Sequence, residues 1–202
     1  MFAKASGSKT WKGGSAGLIF TFIAVAMLAA SAAEKKDYEA KREKIRKMSS
    51  DTLTELHRLH PGSQKAIKDS AGYAVFDNRS VKLLLATTAR GGGLAVASDK
   101  KKETFMRMFS AGAGLGAGIK SYRVVFVFET QSAFDRFLDS GWDAEGHADA
   151  AAKTSSKGGA YAGAVSVEQG VWVYQITKKG LALQLTLQGT KYYKDDDLNK
   201  GL

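Results

Sequence analysis

Cysteine is absent from the 202-residue sequence, and proline occurs once, at Pro61. Without cysteine the chain cannot form a disulfide, a thiolate metal site or a cysteine nucleophile, and it has no cysteine for N-terminal lipidation. Glycine, by contrast, occurs 22 times, and hydrophobic residues make up 44% of the chain. That hydrophobic fraction indicates a packed fold rather than a disordered glycine-rich chain, and the length suits one domain with a sizeable core.

Acidic residues are scarce relative to basic ones. The sequence has 20 Asp and Glu residues against 30 Lys and Arg residues, which gives a formal net charge of +10. Such an excess favours an anionic partner, either a nucleic acid or a lipid surface.

A long membrane-spanning run is also lacking at the N-terminus. The apolar core Leu18–Leu28 has 11 residues, whereas a spanning helix needs about 20. Lys4, Lys9 and Lys12 precede this core, and Ala30-Ser31-Ala32 follows it with the small-residue pattern of a cleavage site. The pattern predicts a bacterial-type secretory signal, and an uncleaved signal anchor is the alternative.

Three segments follow from this reading: a signal peptide at 1–32, a charged helical segment at 33–62 and a folded domain at 63–202. Cleavage of the signal removes three lysines and no acidic residue, which lowers the net charge from +10 to +7. We expect a periplasmic or secreted protein that can associate with a membrane. Such a protein does not meet cytoplasmic nucleic acid.

The apolar pattern changes along the chain from helical to strand-like. Apolar residues between Glu34 and His60 recur with helical spacing, with a break expected at "MSS" and a new helix capped from Thr52. Strands are predicted at "YAVFD", "SVKLLLATTA", "GLAVAS", "ETFMRMF", "YRVVFVFE", "YAGAVSVE", "VWVYQIT" and "LALQLTLQ". A helical interruption is predicted at about 131–153. The fold class is therefore α+β: a mostly antiparallel, glycine-rich β-sheet or partial barrel with N-terminal helices and one helical insertion.

The stretch "AGAGLGAGIKS" resembles a phosphate-binding loop at first sight. A P-loop requires glycine directly before its lysine, and Ile119 stands there instead. The following "SYRVVFVFE" is typical of a strand, not of the helix that a dinucleotide-binding turn must open. The glycines repeat every second residue and are predicted to leave one strand face bare for close packing; they are Gly112, Gly114, Gly116 and Gly118.

Residues with metal-binding or catalytic chemistry form no recognisable constellation. His57 and His60 are three residues apart without a third ligand, so exposed histidines are expected rather than a metal site. Asp143, His147 and Asp149 are interpreted as helix-surface residues. "KDDDLN" lacks the spacing of a calcium loop and is interpreted as a solvated tail. No serine lies in a G-x-S-x-G elbow. We expect no catalysis, no cofactor and no metal.

From about Ala71 to Asn199 the chain resembles the SYLF lipid-binding domain family. The similar motifs are "AGYAVFDN", "GGGLAV", "GAGLGAG", "VVFVFET" with "FDRFLDSGWDAEGHADAAAK", and "YQITKKGLALQLTLQGTKYYKDDDLN". The resemblance implies a glycine-rich, mostly β fold with accessory helices, phosphoinositide or acidic-lipid binding, and no catalysis. Fungal and animal members link membranes to actin. With a secretory signal and without a following SH3 domain, this chain resembles exported bacterial members, and actin is not expected as its partner.

Two functional hypotheses remain, a peripheral lipid binder and a structural or protein-interaction module of the cell envelope. For the first, two basic turns would meet anionic headgroups while a nearby apolar side chain, Phe105, enters the interface. The predicted lipid-binding cations are Lys100, Lys101, Lys102, Lys178 and Lys179. The competing interpretation is that these lysines only protect exposed turns and edges from aggregation.

Overall fold

The computed structural model describes residues 16–83, 86–113, 118–143, 159–178, 180–182 and 190–202. The chain divides into two compact units, Met1–Ala40 and Lys41–Leu202. The described part of the first unit is helical, and Tyr38 donates a hydrogen bond to Glu34 over 3.1 Å there. No helix in the described ranges combines the length and apolarity needed to cross a bilayer.

Helices and strands follow one another in an α+β order. The helices are α1 (Ala16–Leu59), α2 (Gly62–Lys68), α3 (Gln131–Ser140) and α4 (Asp196–Asn199), with a 3-10 turn at Gly159–Tyr161. The strands are β1 (Gly72–Leu83), β2 (Ala86–Ala97), β3 (Glu103–Ala113), β4 (Gly118–Phe128), β5 (Trp142–Asp143), β6 (Val165–Glu168), β7 (Val171–Thr177), β8 (Gly180–Ala182) and β9 (Thr190–Lys194).

All described strand pairs are antiparallel and belong to one sheet, which confirms the predicted fold class. Its order is β5-β9-β3-β2-β1-β4-β7-β6, and β8 pairs with the second half of β7. The second half of β4, from Val124, and β7 as far as Ile176 are buried on both faces, because helices cover each face there. This explains their almost continuous apolar runs, which an antiparallel sheet with one wet face would not have.

Each face of the sheet carries its own hydrophobic core. On the first face, the part of α1 after Lys41 and helix α2 pack over the sheet; Leu56 of α1 clusters there with Val75, Val125 and Tyr174. On the second face, α3 packs over an aromatic cluster. Its largest members are Phe76, Phe126, Phe128, Phe134, Phe137, Trp142 and Tyr192. Along β4, alternate residues serve alternate cores, as the two-residue period of a strand requires.

Helix α1 continues through the predicted "MSS" break. Thr52 does not cap a new helix; it is buried, and its hydroxyl donates to the carbonyl of Met48 over 2.7 Å, one turn earlier. A threonine inside a helix can satisfy its hydroxyl in this way, so the capping pattern was a false signal. The predicted helical insertion is interrupted after its first part: α3 ends at Ser140, Gly141 adopts φ +71, and β5 follows at Trp142–Asp143. Residues 144–158 lie outside the described ranges.

The boundaries of β1 and β2 differ from the prediction. Residues 78–79 and 90–92 lay between predicted strands, yet Asn78 is buried within β1 and Gly91 pairs with it from β2. The predicted strand "SVKLLLATTA" is divided between two strands, since β1 ends at Leu83 and β2 begins at Ala86, which pairs with Leu83. Close packing requires two of the glycines in β2: a Cβ on Gly93 would collide with the ring of Phe76, and one on Gly91 would collide with the carbonyl oxygen of Asp77.

"GAGLGAG" is not a single strand. Gly112 lies in β3 and Gly118 in β4, and β2 and β1 stand between these two strands in the sheet. The alternating glycines therefore do not share one strand face, and the expectation to the contrary is corrected. Gly114 and Gly116 lie outside the described residues. Close packing against bare backbone does occur elsewhere: a Cβ on Gly72 would lie 2.6 Å from the Phe134 ring.

The predicted solvated tail is a structured clasp. We call Asp195 to Lys200 the C-terminal clasp, because it holds the backbone of Phe105 in β3. Asn199 donates to the Phe105 carbonyl over 2.7 Å and accepts from its N–H over 2.9 Å. Asp195 caps α4 by accepting from the Leu198 N–H over 3.1 Å.

Charged side chains from two other elements fasten this clasp. Arg107 of β3 donates to the Asp195 carboxylate over 2.6 Å. Arg42 of α1 donates to the carbonyls of Leu198 and Lys200, over 2.9 and 2.7 Å. The acidic run thus stabilises the end of the chain through specific partners instead of being a solvated tail.

Candidate functional site

The turn between β2 and β3 presents three exposed lysines on a defined backbone. Asp99 accepts a hydrogen bond from the Lys100 N–H over 2.7 Å, and the Ala97 N–H donates to the Lys102 carbonyl over 3.0 Å. Lys101 adopts φ +52, a left-handed conformation that turns the chain tightly. Within the described part of the chain, none of the three ammonium groups forms a hydrogen bond or an ion pair. These cations are therefore available to an anionic ligand.

A groove of about 500 Å³ opens beside this turn, between α1 and the first face of the sheet. We call it the α1–sheet groove. From α1 it is lined by Arg46, Ser49, Ser50, Leu53, Thr54 and His57. From the sheet and the turn it is lined by Tyr73, Leu94, Val96, Lys101 and Glu103. The lining combines apolar side chains, hydroxyls and two cations, and the volume lies within the range of ligand-binding sites.

Arg46 and Glu103 form an ion pair across the groove. Arg46 Nε donates to Glu103 Oε2 over 2.8 Å, and the two side chains are 33% and 32% exposed. The guanidinium also lies 5.3 Å from the ring centroid of Phe105, within cation–π distance. Of the two groove cations, Arg46 is thus held by a carboxylate, while Lys101 is not.

Two titratable groups in the groove favour their neutral forms. Burial lowers the pKa of His57, whose Nδ1 lies 2.9 Å from the hydroxyl of Ser63. Burial, and secondarily the negative charge of Glu103, raises the pKa of Tyr73. At neutral pH the charge of the groove therefore comes from Arg46, Lys101 and Glu103.

Phe105 is not available as an interfacial anchor. It is fully buried on the first face of the sheet, beneath the guanidinium groups of Arg42 and Arg46. Phe105 does follow the lysine turn closely in sequence, as the prediction noted, but the fold buries its side chain instead of exposing it. The exposed large hydrophobic residues on this sheet face are instead Phe109 and Tyr193, at 38% and 44% exposure.

The second basic turn is distant from the first. Lys178 is exposed between β7 and β8, and Lys179 lies outside the described residues. Strand β7 runs from Val171, opposite Phe128, to Ile176, opposite Arg123, whereas Ala97 at the lysine turn is at the level of Phe128. Lys178 therefore lies at the opposite end of the strands from the first turn, and the predicted lysines that the structure describes do not form one cluster.

The histidine and carboxylate candidates have other surroundings. His60 lies beside Tyr174, with ring centroids 6.1 Å apart, and like His57 is half-buried rather than exposed as expected. Asp143 pairs with Lys191 over 3.1 Å. His147 and Asp149 lie outside the described ranges. Among the residues described, no three His, Asp or Glu side chains are grouped as metal ligands would be.

Comparisons with known proteins place this architecture in a family. Residues 109–202 match the Ysc84 family, described as Las17-binding protein actin regulator. A similar protein, "Beta cell expansion factor A" of Aeromonas veronii, is 36% identical over 162 residues, which is 77% of this chain and 58% of that protein. The chain thus aligns with less than two thirds of that relative's length. Residues 109–202 of this chain thus belong to the Ysc84 (SYLF) family.

Proposed function

We propose that this SYLF-family domain is a non-catalytic, exported protein that binds anionic lipid surfaces through the Lys100–Lys102 turn and the adjoining α1–sheet groove. The observation that carries the proposal is the position of Lys101. Its exposed side chain belongs to the basic turn and also lines the groove. Electrostatic approach and headgroup binding would therefore occur at one place.

The chemistry of the site supports a phospholipid ligand. The three turn lysines supply positive charge, and each basic residue near an anionic surface contributes about 1 kcal/mol. Leu53, Leu94 and Val96 supply apolar contact within the same groove. A ligand with a phosphate at one end and hydrocarbon at the other matches this combination.

The location of the protein is part of the proposal. The N-terminal pattern of lysines, an 11-residue apolar core and a small-residue cleavage site supports export. The net charge of +7 after cleavage supports contact with anionic lipid on the outer side of a bacterial inner membrane, or beyond it. Mass spectrometry of the exported protein should give a mature N-terminus near residue 33; an intact N-terminus in a membrane fraction would instead favour an uncleaved anchor.

Liposome co-sedimentation with two matched charge reversals tests lipid binding. Lys100→Glu/Lys101→Glu removes two cations at the groove, and Lys178→Glu/Lys179→Glu makes the same charge change at the distant turn. Loss of two cations costs about 2 kcal/mol, so the first variant should bind anionic vesicles at least about 30-fold more weakly. The second should bind nearly as the parent does. Equal losses would show that net charge alone drives binding.

A protein-interaction module of the cell envelope is the second candidate, and the exposed aromatic side chains favour it. Phe109 pairs with Lys191 across β3 and β9, and Tyr193 lies two residues further along the same face. Such diagonal neighbours are within reach of each other, so the two form one aromatic patch. A Phe109→Ser/Tyr193→Ser variant should lose cross-linking to an envelope protein if this candidate is correct, with vesicle binding unchanged. Sedimentation with actin filaments belongs in the same series, because the family description names an actin regulator.

A further inference from the structure

We propose that the second face of the sheet holds an internal binding site for a small, uncharged, hydroxyl-bearing ligand that bridges β1 and β9. The site is formed by Asn78 of β1 together with Thr190 and Tyr192 of β9, which we call the polar core residues. All three are at most 1% exposed. They lie on the opposite face of the sheet from the α1–sheet groove, so this site is independent of the proposed lipid binding.

Strand pairing places the polar core residues on one face. Residues directly opposite each other in neighbouring strands point to the same side of a sheet. Asn78 lies opposite Gly91, and Gly91 lies opposite Met108 of β3. Met108 in turn lies opposite Tyr192, which packs in the aromatic cluster of the second face. Thr190 is two residues before Tyr192 in the same strand and therefore shares its face.

The glycines of β2 allow side chains of β1 to reach towards β9. A Cβ on Gly93 would collide with the ring of Phe76, and this ring packs 4.6 Å from that of Tyr192, centroid to centroid. Asn78 is two residues further along β1, and its Oδ1 lies 2.8 Å from the position of a Cβ on Gly91. The amide of Asn78 therefore leans across β2 as the ring of Phe76 does, in the direction of Tyr192.

Two tyrosine pKa values indicate that Asn78 lies close to phenol groups. Burial, followed by the charge of Tyr122, raises the pKa of Tyr192, and the amide of Asn78 partly opposes this rise. Burial also raises the pKa of Tyr122 in β4, which Asn78 again partly opposes. Both phenols are therefore neutral at pH 7, as is the amide beside them. An uncharged ligand suits these groups, because a buried ion requires a charged partner.

Four buried polar atoms of the polar core residues have no hydrogen-bond partner among the residues that the structure describes. They are Nδ2 and Oδ1 of Asn78 and the hydroxyl oxygens of Thr190 and Tyr192. Nearly all buried polar groups in proteins are hydrogen-bonded, either to protein or to ordered water. A molecule that both donates and accepts, such as water or the hydroxyl of a small polyol, can bridge such atoms. Since β2 and β3 separate β1 from β9, the ligand would join two strands that do not pair.

Deletion of single hydroxyls tests whether the site is occupied. Tyr192→Phe keeps the ring, and Thr190→Val keeps the branched shape. If a ligand binds the hydroxyls, each variant should lower Tm by about 2–4 °C, as expected for the loss of one hydrogen bond in a unit of this size. A rise in Tm in both variants would overturn the proposal, because removal of an unsatisfied buried polar group stabilises the folded state.

Tyr174→Phe is the matched control for the size of the effect. Tyr174 is also fully buried, and its hydroxyl donates to the carbonyl of Ala160 over 2.8 Å. Loss of this direct hydrogen bond should lower Tm by a similar amount to Tyr192→Phe. Opposite signs in the two tyrosine variants would mean that the Tyr192 hydroxyl has no partner, which refutes the site.

A crystal structure of the protein would distinguish a bound ligand from a direct contact. Electron density should lie within about 3.2 Å of polar atoms from both Asn78 and β9. A direct hydrogen bond from Asn78 to Thr190 or Tyr192, with no density between them, would overturn the proposal even if Tm falls in the variants.

Glycerol distinguishes the two sources of the hydroxyl ligand. If a polyol occupies the site, glycerol should raise the Tm of the parent more than that of Tyr192→Phe/Thr190→Val, because only the parent binds it. If ordered water occupies the site, glycerol should raise both Tm values equally, through its general exclusion from protein surfaces. Either result supports the site, and the comparison identifies its occupant.

Discussion

Gly93→Ala tests why glycines occur within β2. The added Cβ would collide with the Phe76 ring and would lie 2.7 Å from the Val75 carbonyl oxygen. Phe76 cannot move aside, because its fully buried ring packs 4.6 Å from Tyr192 and 6.0 Å from Phe126, centroid to centroid. Overpacking of this kind costs about 1–3 kcal/mol. Replacement of glycine by alanine also stabilises the folded state by about 0.4–1 kcal/mol, because it lowers the conformational entropy of the unfolded chain.

The expected net loss is therefore about 1–2 kcal/mol, which lowers Tm by about 2–8 °C in a folded unit of this size. Thermal and urea unfolding followed by circular dichroism would measure it. Gly92→Ala is the matched control, since its Cβ would meet only the end of the Ile45 side chain, at 3.4 Å. That variant should be neutral or slightly more stable than the parent. If the two variants melt alike, close packing does not explain the glycines.

Two predictions concern other parts of the fold. Asp195→Ala removes the cap of α4 and the partner of Arg107, and should lower the free energy of unfolding by about 1–3 kcal/mol; Asp196→Ala, at an exposed position, should cost less than about 0.5 kcal/mol in a denaturant titration. The lowered pKa of His57 means that the unfolded chain binds its proton more readily than the folded one. The contribution of His57 to stability is therefore complete above its ordinary pKa and falls as the pH drops below that value. Between pH 7.5 and 5.5 the Tm should decline less in His57→Asn than in the parent protein. An identical decline in both would exclude His57 as the cause.

The sequence predicts the strands best where the apolar signal is strongest. "VWVYQIT" and "YRVVFVFE" correspond closely to β7 and β4, because helices cover both faces of these strands and leave almost every position apolar. The prediction fails at residues 78–79 and 90–92, which lay between predicted strands but belong to β1 and β2. A Cβ on Gly91 would collide with the carbonyl oxygen of Asp77, which is 14 residues earlier in the chain, and a local sequence pattern does not reveal such a contact.

The candidate site was only partly predictable for the same reason. Lys101 was recognisable as part of a basic turn, because three consecutive lysines between two strand patterns indicate an exposed rim. Its groove partners Arg46 and His57 come from α1, and nothing in the local sequence states where that helix lies on the sheet. The burial of Phe105 likewise depends on Arg42 and Arg46, which approach from that distant helix.

The C-terminal clasp also sets the order in which the fold can be completed. Arg42 binds carbonyls that are 156 and 158 residues later in the chain. A residue near the start of the folded unit therefore cannot form these contacts until the C-terminal residues are present. Contacts this distant in sequence carry a loop-closure cost and slow folding. A chain that is still being synthesised cannot form the clasp, so the N–H and carbonyl of Phe105 in β3 lack their Asn199 partners until the C-terminal residues are present. Loss of the final few residues would therefore act at the beginning of the folded unit, by releasing α1 from the sheet at Arg42.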